Sequence, residues 1–447
     1  MPDSSGYLAY AEHIANNANW FREDQYLFRM VGYPYLIYVL QSAAGEHWEF
    51  FLWLLQSSYS LFVTAIVYYA AFCFFRSVKV SLFISFLYSF SIFLFLDNVI
   101  LTDSLSGHSI SAVFSLFVIC FKKNTYNAFY FLIAGFFLFF SFLVREGSFF
   151  IIAALVPLLI YMFAKGVQKR SVVYMTLCLV LFLAPVLLGK SSVESWNEKR
   201  TGHHFVTTGA ETVYLYALVG PATSMFPEIF SSDHVFDQTF REKIKTTNFS
   251  ETLFFIQHMK RELGWTSFDL ISYSKAKYIQ YISSNPLIPL YIMGSNMKPN
   301  TFVSLFQPAL AIGQIISRSE DNFKYWRARF LARDLIMERK YSLFIPVVFM
   351  SAETAITIFI FAIFLFVGPY HVVKKIRENG LIPFLSSQNG FVFCLALGFV
   401  GVWMIHALVH LEARYHSGAN ICVLISALFL IKEYPKLTRR KLVKLFD

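Results

Sequence analysis

The sequence predicts an all-α polytopic membrane protein, because apolar runs long enough to cross a bilayer recur along it. Of the 447 residues, 56% are hydrophobic, 52 are Phe and only 15% are charged. A helix needs about 20 apolar residues to cross roughly 30 Å of hydrocarbon. Nine runs meet or approach this length: Phe51 to Phe75, Val80 to Leu96, Leu105 to Phe121, Tyr126 to Val144, Gly147 to Ala164, Ser171 to Gly189, Tyr341 to Val367, Gly390 to Leu411 and Ser417 to Ile431.

Basic residues are concentrated in alternate connections between these runs. They stand at positions 76, 79, 122, 123, 165, 169, 170, 374, 375 and 377 and recur through 432–447. The short connections opposite carry Arg145 and Arg414. Because Lys and Arg are enriched in cytoplasmic loops, this bias predicts which face is cytoplasmic. The net charge of +10 then reflects loops that face anionic lipid, so we expect membrane lipids and no nucleic acid as partners.

This topology divides the chain into five parts. Residues 1–50 form a first extracytoplasmic loop with interfacial helices, 51–189 form six transmembrane helices, 190–340 form an extracytoplasmic loop region with interfacial or re-entrant helices, 341–431 form three transmembrane helices, and 432–447 form a basic cytoplasmic tail. Tyr7, Ala11, Ile14 and Ala18 fall on one helical stripe, which predicts an amphipathic helix at the membrane surface. The Phe-rich composition, with every Cys inside an apolar run, favours a bacterial inner membrane.

Chemically active side chains gather at the predicted extracytoplasmic ends of the helices. The second outer loop contains Asp97 and Asp103, and His108 lies just inside the following span. Arg145 and Glu146 stand between two apolar runs. Burial of one charge in lipid costs at least about 2.5 kcal/mol, so we expect this pair to face water or a polar cavity. For the acidic loop, a merely solvated turn is the alternative interpretation.

The last outer turn carries a denser polar pattern. His406 and His410 lie four residues apart on one helix face, and Glu412, Arg414, Tyr415 and His416 follow. Such a His pair can chelate a metal, but the pattern supplies no fixed third ligand. The guanidinium of Arg414 suits an anionic oxygen better, because its planar fork matches phosphate geometry.

Glu353 is the acid placed well inside a predicted span. An ionisable residue at that depth is costly, so it is a candidate for lining a wet cavity. A snorkelling acid or one paired with a Ser is the alternative interpretation.

Five short motifs follow one another in a fixed order along the chain. They are Asp3-Ser4-Ser5-x-Tyr7-Leu8, Gly32-Tyr33-Pro34, Thr102-Asp103, Arg145 and Glu412-x-Arg414-Tyr415-His416. Each motif is weak alone, but their order and predicted sidedness resemble the GT-C superfamily of integral-membrane glycosyltransferases. The branch that the chain resembles most is the protein mannosyltransferase and aminoarabinose transferase type.

The resemblance implies a GT-C-like helical bundle with outer-face interfacial helices and a long extracytoplasmic loop. It implies transfer of a sugar from a polyprenyl-phosphate-linked donor to a glycan, lipid or protein acceptor, with inversion, at the extracytoplasmic face. In that family a transmembrane helix precedes the first outer loop, so we expect such a helix to be missing from this sequence. No cofactor is certain, and a divalent metal stays open.

The resemblance also assigns residues. Asp3 takes the position of the catalytic base, although the family's acidic doublet is a single acid here. Asp103 would be a second acid that orients the acceptor or a metal. The residues expected to bind the donor phosphate are Arg145, Arg414, Tyr415 and His416. The residues expected to line the cavity are His108, Glu146, Glu353, His410 and Glu412.

Two other functions remain compatible with the residues. A transporter or flippase for a lipid-linked or anionic solute would also use Glu353 and a polar outer vestibule, but the sequence has no repeated halves. A glycan polymerase or ligase also takes lipid-linked donors at the outer face. The sequence identifies neither the sugar, the acceptor nor the oligomeric state.

Overall fold

The structure confirms the predicted class, a polytopic membrane protein built from helices. The computed structural model describes residues 2–23, 25–91, 93, 97, 100, 102–209, 213–215, 217, 230, 234–244, 260–284, 287–294, 352, 355–408 and 417–434, with the side chains of 2–4 and 242–244 excepted. These residues form helices and turns, without a strand among them. Six of the helices are long and apolar enough to cross a membrane.

The helices follow one another with short connections through most of the chain. In order they are α1 (Pro2–Asn16), α2 (Gly32–Ala44), α3 (Trp48–Phe75), α4 (Val78–Ser89), α5 (Thr102–Lys123), α6 (Ala128–Val144), α7 (Ile151–Val167), α8 (Val172–Thr201), α9 (Val235–Ile244), α10 (Ser267–Ser284), α11 (Ala355–Asn379), α12 (Leu381–Ser386), α13 (Gln388–Ala407) and α14 (Asn420–Glu433). Each of the nine predicted apolar runs overlaps one of these helices. Helices α4 and α6 are apolar but shorter than the six spans.

Helix bounds depart from the apolar runs where polar residues still favour a helix. The run that ends at Gly189 continues in α8 as far as Thr201, and Lys190 pairs with Glu194 one turn later. The helix ends where Gly202 adopts a left-handed conformation with φ of 78°, which glycine takes without steric cost. Helix α11 likewise runs past Val367 to Asn379. Apolarity therefore marks the part of a helix that suits the membrane and not the helix end.

Helix α5 is the central helix of the bundle. It packs against α3 and α6, and α6 in turn packs against α8. In its most apolar window 94% of the residues are buried, although the helix carries Asp, His and several Ser side chains. Because lipid is as apolar as a Leu side chain, a membrane bundle places its polar residues inside. We call the end of the bundle at Thr102 the Thr102 end, and the opposite end, at Lys122, the basic end.

Helix α1 lies against the bundle through the predicted stripe. Tyr7, Ala11 and Ile14 are all buried, as the helical spacing predicts. Ala18, predicted on the same stripe, lies beyond the last residue of α1, Asn16, and is exposed. The ring of Tyr7 meets that of Tyr33 on α2 at 5.2 Å between centroids, edge to face. The amphipathic pattern of this segment therefore buries one face against protein.

A second, smaller hydrophobic cluster is formed by residues between 214 and 292. Phe236 and Phe240 from α9 pack with Trp265 and with residues of α10 and the helix at 287–294. Asp237 is fully buried there, and the Lys277 ammonium lies 2.5 Å from its carboxylate. The part of the chain that the sequence marks as a loop thus has a core of its own.

Candidate active site

An ion pair stands at the Thr102 end, between the ends of two helices. Asp103 lies in the first turn of α5, and Arg145 directly follows the last residue of α6. The Arg145 guanidinium donates a hydrogen bond to the Asp103 carboxylate. Each charge also faces the favourable pole of its own helix, since an acid suits a helix N-terminus and a cation a C-terminus. The Asp103 side chain is 4% exposed and that of Arg145 is 21% exposed, so the pair reaches the surface through the cation.

A cavity opens beside this pair. It is a small recess with room for about one water molecule, and it is partly open to the surroundings. Its lining residues are Asp103, Ser106, Gly107, Ile110, Arg145, Gly147, Ser148, Ile151 and His406. The wall therefore combines a carboxylate, a guanidinium, two hydroxyls and an imidazole, supplied by α5, by α13 and by the segment that joins α6 to α7.

Three serines fix the floor of this cavity. The hydroxyls of Ser106 and Ser148 lie 2.9 Å apart, and Ser141 on α6 lies 2.8 Å from Ser106 and 2.7 Å from Ser148. All three are buried. The hydrogen bonds tie α5, α6 and the start of α7 together directly below the ion pair. Because the three hydroxyls satisfy one another, the cavity keeps a polar floor at low cost.

The first outer segment meets the second at the N-terminus of α5. The Tyr7 hydroxyl lies 3.2 Å from the Thr102 hydroxyl, next to Asp103. The Arg29 guanidinium stacks over the Tyr7 ring at 4.2 Å. Asp3 precedes Tyr7 by four residues in the same helix, which is about 6 Å along the axis. The backbone of the predicted base therefore lies one turn from a residue in contact with α5, while its side chain is outside the described part.

Glu146 faces a different neighbour from Arg145. The carboxylate oxygen Oε1 lies 2.9 Å from the position that a Cβ would take at Gly209. The segment at Gly209 is itself attached to the first outer segment, because Thr208 donates its N–H to the Leu27 carbonyl at 2.8 Å. Nothing in the sequence predicts that residues 207–209 lie here, since they carry no charge and no motif.

His108, which the sequence assigns to the cavity wall, lies in a buried network instead. Its ring is fully buried, and Nε2 lies 3.0 Å from the Asp97 carboxylate while Nδ1 lies 2.6 Å from the Tyr88 hydroxyl. Ser104 donates to the same carboxylate at 2.5 Å, and Phe93 stacks on the imidazole at 4.1 Å. His108 therefore does not line the cavity at Asp103, and the prediction that it would is wrong. The Asp97 carboxylate and the His108 imidazole, which are close in sequence, contact each other.

The described residues that precede and follow 409–416 in the chain each make a contact. Before it, Tyr278 of α10 donates to the Leu408 carbonyl at the end of α13, at 3.2 Å. Burial raises the pKa of the Tyr278 phenol, so the hydroxyl keeps the proton that it donates. After the turn, the Ser417 hydroxyl lies 3.1 Å from the position that a Cβ would take at Gly107, a cavity residue.

The remaining predicted residues lie outside the described part of the chain. They are Glu353, His410, Glu412, Arg414, Tyr415 and His416, together with the side chain of Asp3. Within the described part, no group of three or more His, Cys, Asp or Glu side chains converges on one point. The residues described so far thus bring together Asp103 and Arg145, and they offer no built metal site.

Comparisons with known proteins give a weak similarity. No family model and no curated protein matches the chain. Among solved structures, the chain is similar to the archaeal oligosaccharyltransferase AglB from Archaeoglobus fulgidus, in complex with an inhibitory peptide and a dolichol-phosphate, with 12% identity and a TM-score of 0.46. The match covers 99% of this chain and 47% of that one, so the chain spans about half the length of AglB. A similarity of this size does not assign a fold family or an activity.

Proposed function

We propose that this protein is a membrane glycosyltransferase of the GT-C type. In this proposal it moves a sugar from a polyprenyl-phosphate donor to an acceptor hydroxyl or similar nucleophile, at the extracytoplasmic face, with inversion of the anomeric centre. The donor's tail lies in the bilayer and its reactive carbon C1 at the boundary. The catalytic groups must therefore gather at the same depth, at one end of the helical bundle.

The observation that carries the proposal is the Arg145–Asp103 pair in the cavity at the Thr102 end. A leaving phosphate gains charge in the transition state, and a fixed cation stabilises that charge without reorganisation. Arg145 has a bond to Asp103 that sets its orientation, and its partial exposure leaves it accessible from the cavity. Asp103 therefore acts as a positioning residue for the guanidinium, a narrower role than the acceptor-orienting acid that the resemblance implies.

The reaction balances with the residues assigned. The acceptor oxygen attacks C1 of the sugar and forms the new C–O bond. The bond between C1 and the phosphate oxygen breaks, and its electron pair leaves with the polyprenyl phosphate, beside Arg145. The acceptor proton passes to a carboxylate, for which we propose Asp3; such proton transfer contributes typically ~10² to 10⁴ in rate.

Two contacts support a shared site for residues that are far apart in sequence. The Tyr7 to Thr102 contact brings the helix that carries Asp3 to the start of α5. The packing of Ser417 at Gly107 brings the chain back to the cavity three residues after Arg414 in the sequence. We therefore keep Arg414, Tyr415 and His416 as proposed donor-phosphate residues, and His410, Glu412 and Glu353 as proposed lining residues.

The test is sugar transfer by the purified full chain in lipid nanodiscs. We expect radiolabelled sugar to move from at least one member of a panel of polyprenyl-phosphate monosaccharides to lipid, glycan or peptide acceptors. Transfer only from lipid-linked oligosaccharides would favour a polymerase or ligase. Movement of the intact donor across vesicles without any transfer would replace the proposal with a flippase.

A further inference from the structure

Lys122 occupies an unusual position at the basic end. It lies in the last turn of α5 and is half-buried. Its ammonium donates to the Gln388 side-chain oxygen at 2.6 Å and lies 4.2 Å from the centre of the Phe74 ring. A lysine at a membrane boundary ordinarily extends its charge into water. This one is held inward by an amide and an aromatic face.

Two further cations stand near this ring along the chain or next to a ring packed on it. Arg76 ends α3, two residues after Phe74. Lys432 is in the last turn of α14, three residues after Phe429, whose ring centre lies 6.1 Å from that of Phe74. Three helices therefore each bring one cation to the region of the Phe74 ring at the basic end.

One described acid at this end already has basic partners. Glu378 pairs with Lys374 and with Lys375 on the same helix. Across the described ranges, no ion pair joins an acid to Lys122, Arg76 or Lys432. Like charges that gather without an acid repel one another, and a half-buried one has lost part of its hydration.

The backbone at Arg76 adds a second peculiarity. This residue takes a left-handed conformation, with φ of 58°, at the C-terminus of α3. That position favours glycine, because a side chain makes the left-handed conformation costly. An arginine there brings a charge to the basic end at a steric cost.

We propose that Lys122, Arg76 and Lys432 form a phosphate-binding site at the basic end, separate from the cavity at Asp103. Its ligand is a phosphate anion, carried by an anionic lipid headgroup or free in solution. If these basic residues served only to orient the protein in the membrane, exposed charge on this face would be enough. Lys374 and Lys375 already supply such charge. The inward, amide-bonded Lys122 is explained by a bound anion that offsets the repulsion. Basic pockets between helices on the cytoplasmic side of membrane proteins bind such headgroups.

The test compares variants of the full chain in zwitterionic nanodiscs. Thermal stability is measured with added phosphatidylglycerol, phosphatidylcholine or inorganic phosphate, and retained lipid is measured by native mass spectrometry. Lys122→Met keeps the aliphatic stem and removes the charge. Arg76→Gly removes a cation at a position where glycine fits better, so this variant is expected to fold at least as well as the wild type. Lys375→Gln is the matched control, because it removes one charge from a lysine already paired with Glu378.

We expect each site variant to bind the anion about fivefold more weakly, and Lys375→Gln to bind as the wild type does. A response to phosphatidylglycerol alone identifies a lipid headgroup, and an equal response to inorganic phosphate identifies a free anion site. Either result supports the proposal. A wild type that responds to neither, or equal losses in Arg76→Gly and Lys375→Gln, would overturn it. Sugar transfer is not part of this readout.

Discussion

Helices α5 and α8 both pack against the neighbouring helix α6, yet they meet opposite environments. Helix α5 is 94% buried over its most apolar window and has a mean hydropathy of 1.7, while α8 is 28% buried with a mean hydropathy of 2.5. The less apolar helix is thus the enclosed one, the reverse of a water-soluble protein. In a bilayer the apolar side chains face lipid and the polar side chains face each other. The proposed site therefore lies on α5, the less apolar of the two helices.

Replacement of the site carboxylate should give the largest effect. Asp103→Asn removes the charge that orients Arg145, and we expect sugar transfer to fall by about 10² or more. The matched control is Glu194→Gln, which breaks the Lys190 pair on α8 and should leave transfer unchanged. Initial rates and thermal stability are measured for both proteins. Equal activity in the two variants would remove the Arg145–Asp103 pair from the reaction.

The buried network should be the next most sensitive part of α5. His108→Leu leaves the Asp97 carboxylate and the Tyr88 hydroxyl without their imidazole partner, at a cost of about 1–3 kcal/mol for each group. We expect a large fall in the unfolding temperature in detergent. Ser283→Ala on α10, whose hydroxyl is exposed and bonded only to the preceding turn, is the reference. A His108 variant as stable as this reference would mean that the network contributes nothing to stability.

The close approach of α5 and residues 417–419 predicts a smaller loss. A Cβ at Gly418 would lie 2.7 Å from the Gly107 carbonyl oxygen, too close for any real contact, while one at Gly294 would meet nothing within 4 Å. We therefore expect Gly418→Ala to cost about 1–3 kcal/mol and Gly294→Ala to cost much less. Thermal unfolding in detergent compares them. A neutral Gly418→Ala would show that the two segments separate without cost.

The exposed face of α8 should tolerate a larger side chain, whereas the buried α5 should not. Val173 on α8 is 80% exposed and Val113 on α5 is fully buried. Val173→Leu should change stability by less than about 0.5 kcal/mol, whereas Val113→Leu overpacks the core and should cost about 1–3 kcal/mol. Unfolding temperatures of the two variants measure the contrast. Similar losses would indicate that protein also covers α8 at that position.

Sequence reasoning succeeded where the signal was local. Each of the nine apolar runs overlaps a helix, and six of them fall in helices long and apolar enough to cross a membrane. The spacing of Tyr7, Ala11 and Ile14 identified the face by which α1 packs. Sequence reasoning also singled out Asp103 and Arg145, because charges at a membrane boundary are costly. That Asp103 orients the acceptor or a metal stays a prediction, and its contact with Arg145 was not foreseen.

Other features carry no signal in a single sequence. Residues 207–209 are uncharged, and their position at Glu146 follows from a backbone hydrogen bond to Leu27. Helix α8 passes Gly189 because polar residues do not end a helix that has a helical neighbour to pack on. His108 was assigned to the cavity because it stands near Asp103 in sequence, but its side chain bonds to Asp97 and Tyr88.

The sequence by itself determined the class of protein, the helices that suit a bilayer and the end of the bundle that is basic. These depend on sums over neighbouring residues, since the transfer of a segment into lipid is nearly additive along the chain. Only the tertiary structure decided which polar groups meet. Asp103 and Arg145 are 42 residues apart, and Lys122 reaches Gln388 across 266. Such contacts depend on how whole helices pack, and no local pattern encodes that.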